Sequence, residues 1–176
     1  KVAPLYYGDI TTITTYADRY TLATIPCTND VNDLVVKIKG LEMLKDVSVD
    51  DFEIYATMSN GRYANDNAIA AGARTVKYSQ PMQIKDGVLT TTLSVLRLMQ
   101  SSTTEFLTIK SNYIPNANHE FTVPIVPTIL KNPAYNTQTD LDREDTYEFI
   151  FSIGVDASVT VTINGWEIVQ IKPVQD

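Results

Sequence analysis

The sequence predicts an all-β fold, a Greek-key β-sandwich of two packed sheets with long loops and little helix. Thr, Val, Ile and Tyr recur along the chain, and these residues favour pleated, half-buried surfaces. Apolar and polar residues alternate with period two, the pattern of a strand with one buried face, in segments 34–39, 52–56 and 159–163. Turn-forming pairs with strand-like flanks occur at Asn60-Gly61, Asp86-Gly87 and Asn164-Gly165. Many short strands joined by such turns favour two sheets packed face to face.

The individual elements follow from the same patterns. The predicted strands are 20–25, 34–39, 52–56, 75–78, 88–99, 105–109, 147–153, 159–163 and 166–171. The strongest hairpin signal is Asn164-Gly165, because both of its flanks have strand character. Short helical turns are predicted at 41–45, after Gly40, and at 126–130, where Pro127 occupies a permitted early position. Long loops are predicted at 60–73, 111–120 and 131–145.

The length of 176 residues suits one domain with a real core. Residues 1–17 are predicted to be a linker or entry segment from an upstream domain that this chain lacks. Residues 18–176 are predicted to be a C-terminal β-sandwich domain.

The charge limits the range of partners. The formal net charge of −7 repels phosphate backbones, and no run of Lys and Arg offsets it, so nucleic acid is not an expected partner. No stretch reaches the ~20 apolar residues that a membrane-spanning helix needs.

Cys27 and His119 are the only cysteine and the only histidine. A single cysteine forms no internal disulfide, and Cys27 is predicted to be a small apolar residue in or beside a strand. His119 lies in a polar segment and is predicted to be solvated. One sequence leaves a Ser–His–Asp triad open, but no Gly-x-Ser-x-Gly motif accompanies the histidine.

The acidic segment Asp140–Asp145 is the main candidate for a metal site, because alternating carboxylates can converge on a hard cation. The EF-hand pattern fails, since its sixth and twelfth places hold Asp145 and Phe151 instead of Gly and Glu. Arg143 stands within the segment, so a structural turn with an internal ion pair is favoured over a metal site. No nucleotide, zinc or metalloprotease motif is present. We therefore predict no catalytic residue, no cofactor and no metal, and a hydrolase is the least favoured class.

The aromatic residues leave two interpretations open. Ten tyrosines fit sheet positions with their hydroxyls at the rim, and Trp166 fits core or hairpin packing. Exposed Tyr and Trp also contact sugars and proteins, so a surface adhesin or glycan-binding module is the alternative function.

Several segments together resemble the fimbrillin-associated anchor family, the FimB-like minor fimbrial proteins. Most of residues 20–170 are covered, and the order and spacing of the pieces carry the resemblance. The closing pieces are Asp140–Phe149 and Ile163-Asn164-Gly165-Trp166, and the earlier ones are 33–40, Asn60-Gly61-Arg62-Tyr63, Asp66-Asn67, Val76-Lys77-Tyr78 and Leu96-Arg97-Leu98-Met99.

The resemblance implies a transthyretin-like β-sandwich that is the C-terminal domain of a two-domain protein. It implies a non-enzymatic fimbrial anchor or accessory subunit that binds pilus subunits by protein–protein contact, with strand addition as the mode. Such proteins are held in the outer membrane of Gram-negative bacteria by an N-terminal lipid. Cys27 lies too deep in the chain to carry that lipid. No binding residue is carried over, because the matched segments are expected to form the fold.

Overall fold

The computed structural model describes residues 5–8, 13–15, 17, 24–114, 119–154 and 158–171. Almost all regular structure in these ranges is extended. The strands are β1 Tyr6–Gly8, β2 Cys27–Asn29, β3 Val31–Lys39, β4 Phe52–Met58, β5 Val76–Tyr78, β6 Gln83–Lys85, β7 Val88–Leu96, β8 Phe106–Ser111, β9 Glu120–Pro124, β10 Thr146–Ile153, β11 Val159–Ile163 and β12 Trp166–Ile171. The short helices are α1 Ile125–Ile129 and α2 Gln138–Asp142, with 3-10 turns at Leu41–Met43 and Val49–Asp51.

Two large sheets form the body of the domain. A six-stranded sheet has the order β12-β11-β10-β3-β7-β6, and a four-stranded sheet has the order β5-β4-β8-β9. The chain passes between these sheets after β3, β5, β7 and β9, so neighbours in a sheet are often far apart in sequence. A two-stranded ribbon, β1-β2, pairs with neither of these sheets. The predicted all-β sandwich is confirmed.

The core lies between the two sheets, as the alternation requires. Every second residue of β3 and β4 is buried, including Leu34, Val36 and Ile38 on β3. β10 pairs in parallel with β3, with Phe149 opposite Val36, and its inward side chains are all aromatic at 147, 149 and 151. Such large apolar side chains dominate core energetics because each buries a large area.

Two of the three predicted Asn-Gly or Asp-Gly pairs form tight turns. Asp86 and Gly87 have φ of 51° and 73°, and Asn164 and Gly165 have φ of 48° and 77°, so both pairs have the left-handed backbone of a type I′ turn. These turns join β6 to β7 and β11 to β12.

The Asn60-Gly61 hairpin prediction is wrong. β4 and β5 do pair, but Met58 lies opposite Val76, so a long loop separates them. The Gly61 amide instead donates to the Arg74 carbonyl. A Cβ at residue 61 would lie 2.6 Å from that carbonyl oxygen, so the glycine serves a close backbone approach rather than a tight turn.

Other boundaries differ from the predictions in specific ways. The predicted loop 131–145 contains α2, which begins at a capping box formed by Thr137 and Asp140. The predicted strand 20–25 lies largely outside the described residues, and Thr24 and Ile25 precede β2 rather than belong to it. Strand 88–99 ends earlier, at Leu96. β1, β2, β6 and β9 were not predicted.

The helical predictions near Gly40 and Pro127 are confirmed. Gly40 has φ of 89° and precedes the 3-10 turn, and Pro127 lies within the first turn of α1. No helix in the described part of the chain is long and apolar enough to cross a membrane.

Candidate interaction surface

Four of the segments that carry the family resemblance, 60–63, 66–67, 96–99 and 140–149, contribute to one polar network. The Arg97 guanidinium binds Asp142 of α2 through two hydrogen bonds, Nε to Oδ1 at 2.7 Å and Nη2 to Oδ2 at 2.5 Å. The Gln138 amide donates to the same Asp142 oxygen at 2.8 Å and to the Leu98 carbonyl at 2.9 Å. The hydrogen bond to Asp142 raises the pKa of Arg97, so the guanidinium stays charged. This pair holds α2 against the chain segment that follows β7.

The loop after β4 joins the network on its other side. The Tyr63 hydroxyl donates to the Arg97 carbonyl at 2.5 Å, and the side-chain amide of Asn60 donates to the same carbonyl at 3.3 Å. Burial raises the pKa of Tyr63 well above its usual value, which keeps the hydroxyl protonated as a donor. Asn67, with φ of 59°, donates to buried Asp30 at 2.9 Å. The matched segments therefore hold the loop, α2 and β7 together.

Glu105 lies beside this network and was not singled out from the sequence. Its side chain is fully buried, and neither carboxylate oxygen accepts a hydrogen bond of normal geometry from the described residues. Burial raises the pKa of the Glu105 carboxyl, and the hydroxyl of Ser102 opposes that shift. A buried carboxylic acid favours its neutral form, so this residue is a candidate for pH-dependent stability.

His119 lies in an open cleft of about 440 Å³ that Ser111, Asp50 and Asp51 also line. The residue types of a triad are thus near one another, but the geometry of a triad is missing. The ring Nδ1 of His119 contacts the Ile114 carbonyl at 3.2 Å, and Ser111 Oγ accepts from the Tyr113 amide at 3.2 Å. The Ser111 amide donates to the His119 carbonyl at 2.9 Å, but among the described residues no hydrogen bond joins the His119 ring to the side chain of Ser111 or of either aspartate. The predicted exposure of His119 agrees with its position at the surface.

The acidic segment is spread over separate structural contacts. Arg143 pairs with Asp140, as the predicted internal ion pair requires. Asp142 binds Arg97, and the Asp145 carboxylate accepts a hydrogen bond from the side-chain amide of Asn29 at 2.8 Å. Hydrogen bonds from Thr137 and the Asn136 backbone, together with the Arg143 charge, lower the pKa of Asp140. The carboxylates thus have different partners and do not converge on one point.

Cys27 lies in a strand as predicted, whereas the tyrosines differ from one another in how far they are buried. Cys27 is in strand β2, opposite Gly8, and is exposed. Tyr147 lies within β10 but is buried, with its hydroxyl donating to the Leu141 carbonyl at 2.9 Å. On the outer face of the four-stranded sheet, the Lys77 ammonium covers the ring of Tyr55 at 3.8 Å. Tyr6 of β1 is 65% exposed.

Of the two predicted roles of Trp166, core packing is wrong, because its side chain is 47% exposed, whereas its place opposite Ile163 in the hairpin is compatible with hairpin packing. Trp166 lies opposite Ile163, which is buried, so the two residues share the inner face of the six-stranded sheet. The reason for the exposure is position: β12 is the last strand of its sheet, and the sheet packed against it has two strands fewer. Trp166 therefore lies at the rim of the core.

The edges of the two sheets differ in length and composition. β5 and β6 have three residues each, and β9 has five and ends at Pro124. β12 has six residues, contains no proline, and pairs only with β11 among the described residues. Sheet edges present unpaired backbone groups, so β12 is the longest candidate surface for another strand.

These features define a class of protein, a β-sandwich whose accessible features are a strand edge and polar faces. Residues 1–172 match the family model of the Fimbrillin-A associated anchor proteins Mfa1 and Mfa2, and the chain belongs to this family. The resemblance noted from the sequence is thereby confirmed. No curated protein matches the chain.

Solved structures share the fold at low sequence identity. A candidate polysaccharide-binding protein of Bacteroides thetaiotaomicron aligns with a TM-score of 0.77 and 17% identity, over 100% of this chain and 62% of that one. A candidate adhesin of the same species aligns with a TM-score of 0.70 and 23% identity, over 94% and 60%. The fimbrial anchor protein Mfa2 of Porphyromonas gingivalis aligns with a TM-score of 0.67 and 20% identity, over 94% and 59%. The chain spans about 60% of the length of these proteins.

Proposed function

We propose that this chain is part of a non-enzymatic fimbrial anchor or accessory subunit, which binds fimbrial subunits by protein–protein contact through strand addition. The observation that carries the proposal is the long edge strand β12 in a member of the anchor family. Main-chain hydrogen bonds supply affinity in this binding mode, and alternate side chains supply specificity. The dispersed contacts of the acidic segment and of His119 support a binding role rather than catalysis.

The proposal includes the place of action. We propose the outer surface of a Gram-negative cell, with attachment to the outer membrane through a lipid, and a transthyretin-like sandwich as the C-terminal domain. The net charge of −7 supports a protein partner over nucleic acid.

Deletion of the gene in the source organism tests the anchor role. Fimbriae are quantified on washed cells and in the culture medium by immunoblotting and electron microscopy. We expect the fimbriae to move from cells to medium, and a plasmid-borne copy to restore them to the cells. Equal attachment in the deletion strain and the parent would contradict the proposal.

An adhesin or glycan-binding module is the second candidate. The exposed ring of Tyr6 and the fold shared with candidate adhesins favour it. A glycan array separates the two functions, because an anchor that works by strand addition needs no sugar. Specific binding to a defined glycan, lost in Tyr6→Ala, would move this candidate ahead of the anchor.

A further inference from the structure

The four sheet edges offer unequal opportunities for an added strand. β5 and β6 are three residues long, which limits the hydrogen bonds that either can give to a partner. β9 ends at Pro124, which has no amide hydrogen, and the carbonyl of Pro124 already accepts from the Thr128 hydroxyl. β12 has none of these features. Its sequence, Trp-Glu-Ile-Val-Gln-Ile, has strong strand propensity and a single charge.

A register shift interrupts the β11–β12 ladder between Val161 and Thr162. Beyond it, Val161, Thr160 and Val159 pair regularly with residues 169–171. A bulge increases the local twist near the turn, so the segment 169–171 is the regular part of the edge.

The apolar side chains on the inner face of the six-stranded sheet also continue to the β12 edge. Ile163 and Val161 of β11 are buried, and Trp166, on the same face as Ile163, is the next position outward. The indole is 47% exposed, so the inner apolar face extends beyond the part that the opposite sheet covers. Another strand beside β12 would cover this ring, and a large aromatic side chain at the centre of a contact is a typical binding hot spot.

The turn that presents Trp166 is held in place. The Asn164 side chain accepts from the Glu148 amide at 2.8 Å and donates to the Tyr135 hydroxyl at 3.0 Å. The Asn164 amide also donates to the Glu148 carbonyl at 3.0 Å. Three hydrogen bonds therefore fix the hairpin to β10 and to the segment before α2. A surface ordered before binding loses less conformational entropy on association.

We infer that the β12 edge, with Trp166 as its apolar anchor, receives an extended segment of a fimbrial subunit as the seventh strand of the larger sheet. This inference rests on the proposed function and specifies its surface. The backbone groups of β12 that no described residue pairs fit an extended polypeptide, because main-chain hydrogen bonds along the edge supply the affinity in strand addition. The segment carries an apolar residue against Trp166, and a Lys or Arg beside exposed Glu167 would complement its charge.

Hydrogen–deuterium exchange on the full chain tests the inference, with purified fimbriae of the source organism as the probe. Surface plasmon resonance first measures whether the fimbriae bind. We expect the outward-facing amides of residues 166–171, those that do not donate to β11, to exchange fast in the free chain and slowly in the complex. The edge strand β9 is the internal control, and its exchange should stay unchanged. A chain labelled with 5-fluorotryptophan reports on position 166 alone, because Trp166 is the single tryptophan, and its fluorine signal should shift on binding.

Matched variants separate the contribution of Trp166 from general surface effects. Trp166→Ala should weaken binding by roughly tenfold or more, as expected for an aromatic hot spot. Phe106→Ala removes another exposed aromatic ring, 38% exposed on the smaller sheet, and should bind like the wild type.

The outcomes separate this inference from the proposed function. Fimbriae that bind while residues 166–171 stay unprotected would overturn the inference and leave the anchor role standing. Protection of the outward-facing β12 amides already present in the free chain would overturn it too, because the edge would then be closed. Absence of any binding would overturn both.

Discussion

Glu105 places a carboxylic acid where no described residue gives it a hydrogen bond of normal geometry. The residue immediately precedes β8, and its own carbonyl accepts from the Ile125 amide, so backbone contacts fix it inside the domain. Burying a charge without a partner costs more than burying the neutral acid. Burial accordingly raises the pKa of Glu105 from its ordinary value of 4.5.

We therefore expect Glu105→Gln to stabilise the domain in a pH-dependent way. The folded protein holds the proton more tightly than the unfolded chain, so the contribution of this group is full below the unfolded pKa and is lost as pH rises through the higher folded pKa. Wild type and variant should unfold with similar free energies near pH 4. The variant should gain roughly 1–3 kcal/mol at pH 8, the cost of an unsatisfied buried group.

Urea unfolding at several pH values measures this difference. Glu42→Gln, which alters an exposed carboxylate, is the control and should show no comparable pH-dependent gain. The difference in free energy of unfolding between Glu105→Gln and wild type could instead be the same at pH 4 and pH 8. That result would show that the carboxyl has a partner in solution.

At the scale of elements, the hairpin between β11 and β12 depends on its turn. Gly165 has φ of 77°, and a Cβ there would meet no atom within 4 Å, so any penalty comes from the backbone alone. Gly165→Val should cost roughly 1–3 kcal/mol, the range of strained backbone positions. Gly165→Asn should cost less, because asparagine tolerates the left-handed region. Thermal melting of the two variants measures the effect, and equal losses would mean that the side chain rather than φ matters.

The Arg97–Asp142 pair joins α2 to the segment after β7, and its side chains are 10% and 22% exposed. Asp142→Asn leaves a mostly buried cation without its counter-ion and should cost roughly 3 kcal/mol. The double variant Arg97→Met, Asp142→Leu should recover most of that loss, because apolar side chains of similar size remove both charges.

Lys77→Met is the control for this pair, since it breaks the exposed ion pair with Glu53 and should cost about 1 kcal/mol or less. Denaturant unfolding of all variants gives the free energies. A double variant as unstable as Asp142→Asn would show that the apolar pair does not fit the site.

The elements differ in how far the sequence determines them. β3, β4, β10 and β11 were predictable, because five to nine residues with one buried face give a clear period. α2 was not, because Pro133 and the polar residues around it favoured a loop over 131–145, although α2 begins at a capping box. Asn60-Gly61 resembles a turn, yet tertiary contacts of the Asn60 side chain and the Gly61 amide determine its conformation.

The candidate surface was less predictable than the fold. The exposure of Trp166 depends on its strand being last in a wider sheet, and strand order is a long-range property. The burial of Glu105 depends in the same way on segments distant in sequence. The polar network is an intermediate case, because the sequence resemblance identified its segments but not their contacts.

At the scale of the whole molecule, the two large sheets hold the core and the β1-β2 ribbon lies beside them. The first residue of the buried hydrophobic cluster is Leu34, and its members come from both sheets. No described residue before β2 belongs to the cluster. β1 nevertheless pairs with β2, and the Asp30 amide donates to the Leu5 carbonyl at 2.7 Å. The boundary predicted at residue 17 therefore runs between two paired strands.

A chain that begins at residue 18 tests that boundary. It loses the β1 pairing but keeps every residue of the buried cluster, so we expect it to fold with one cooperative transition. A few lost backbone hydrogen bonds amount to roughly 1–2 kcal/mol. For a domain of this size that lowers the melting temperature by about 2–8 °C. Differential scanning calorimetry measures the change, with a chain that begins at residue 5 as the control that keeps β1. An unchanged melting temperature would make residues 1–17 a true linker, whereas a broad transition without a cooperative peak would make the ribbon an integral part of the domain.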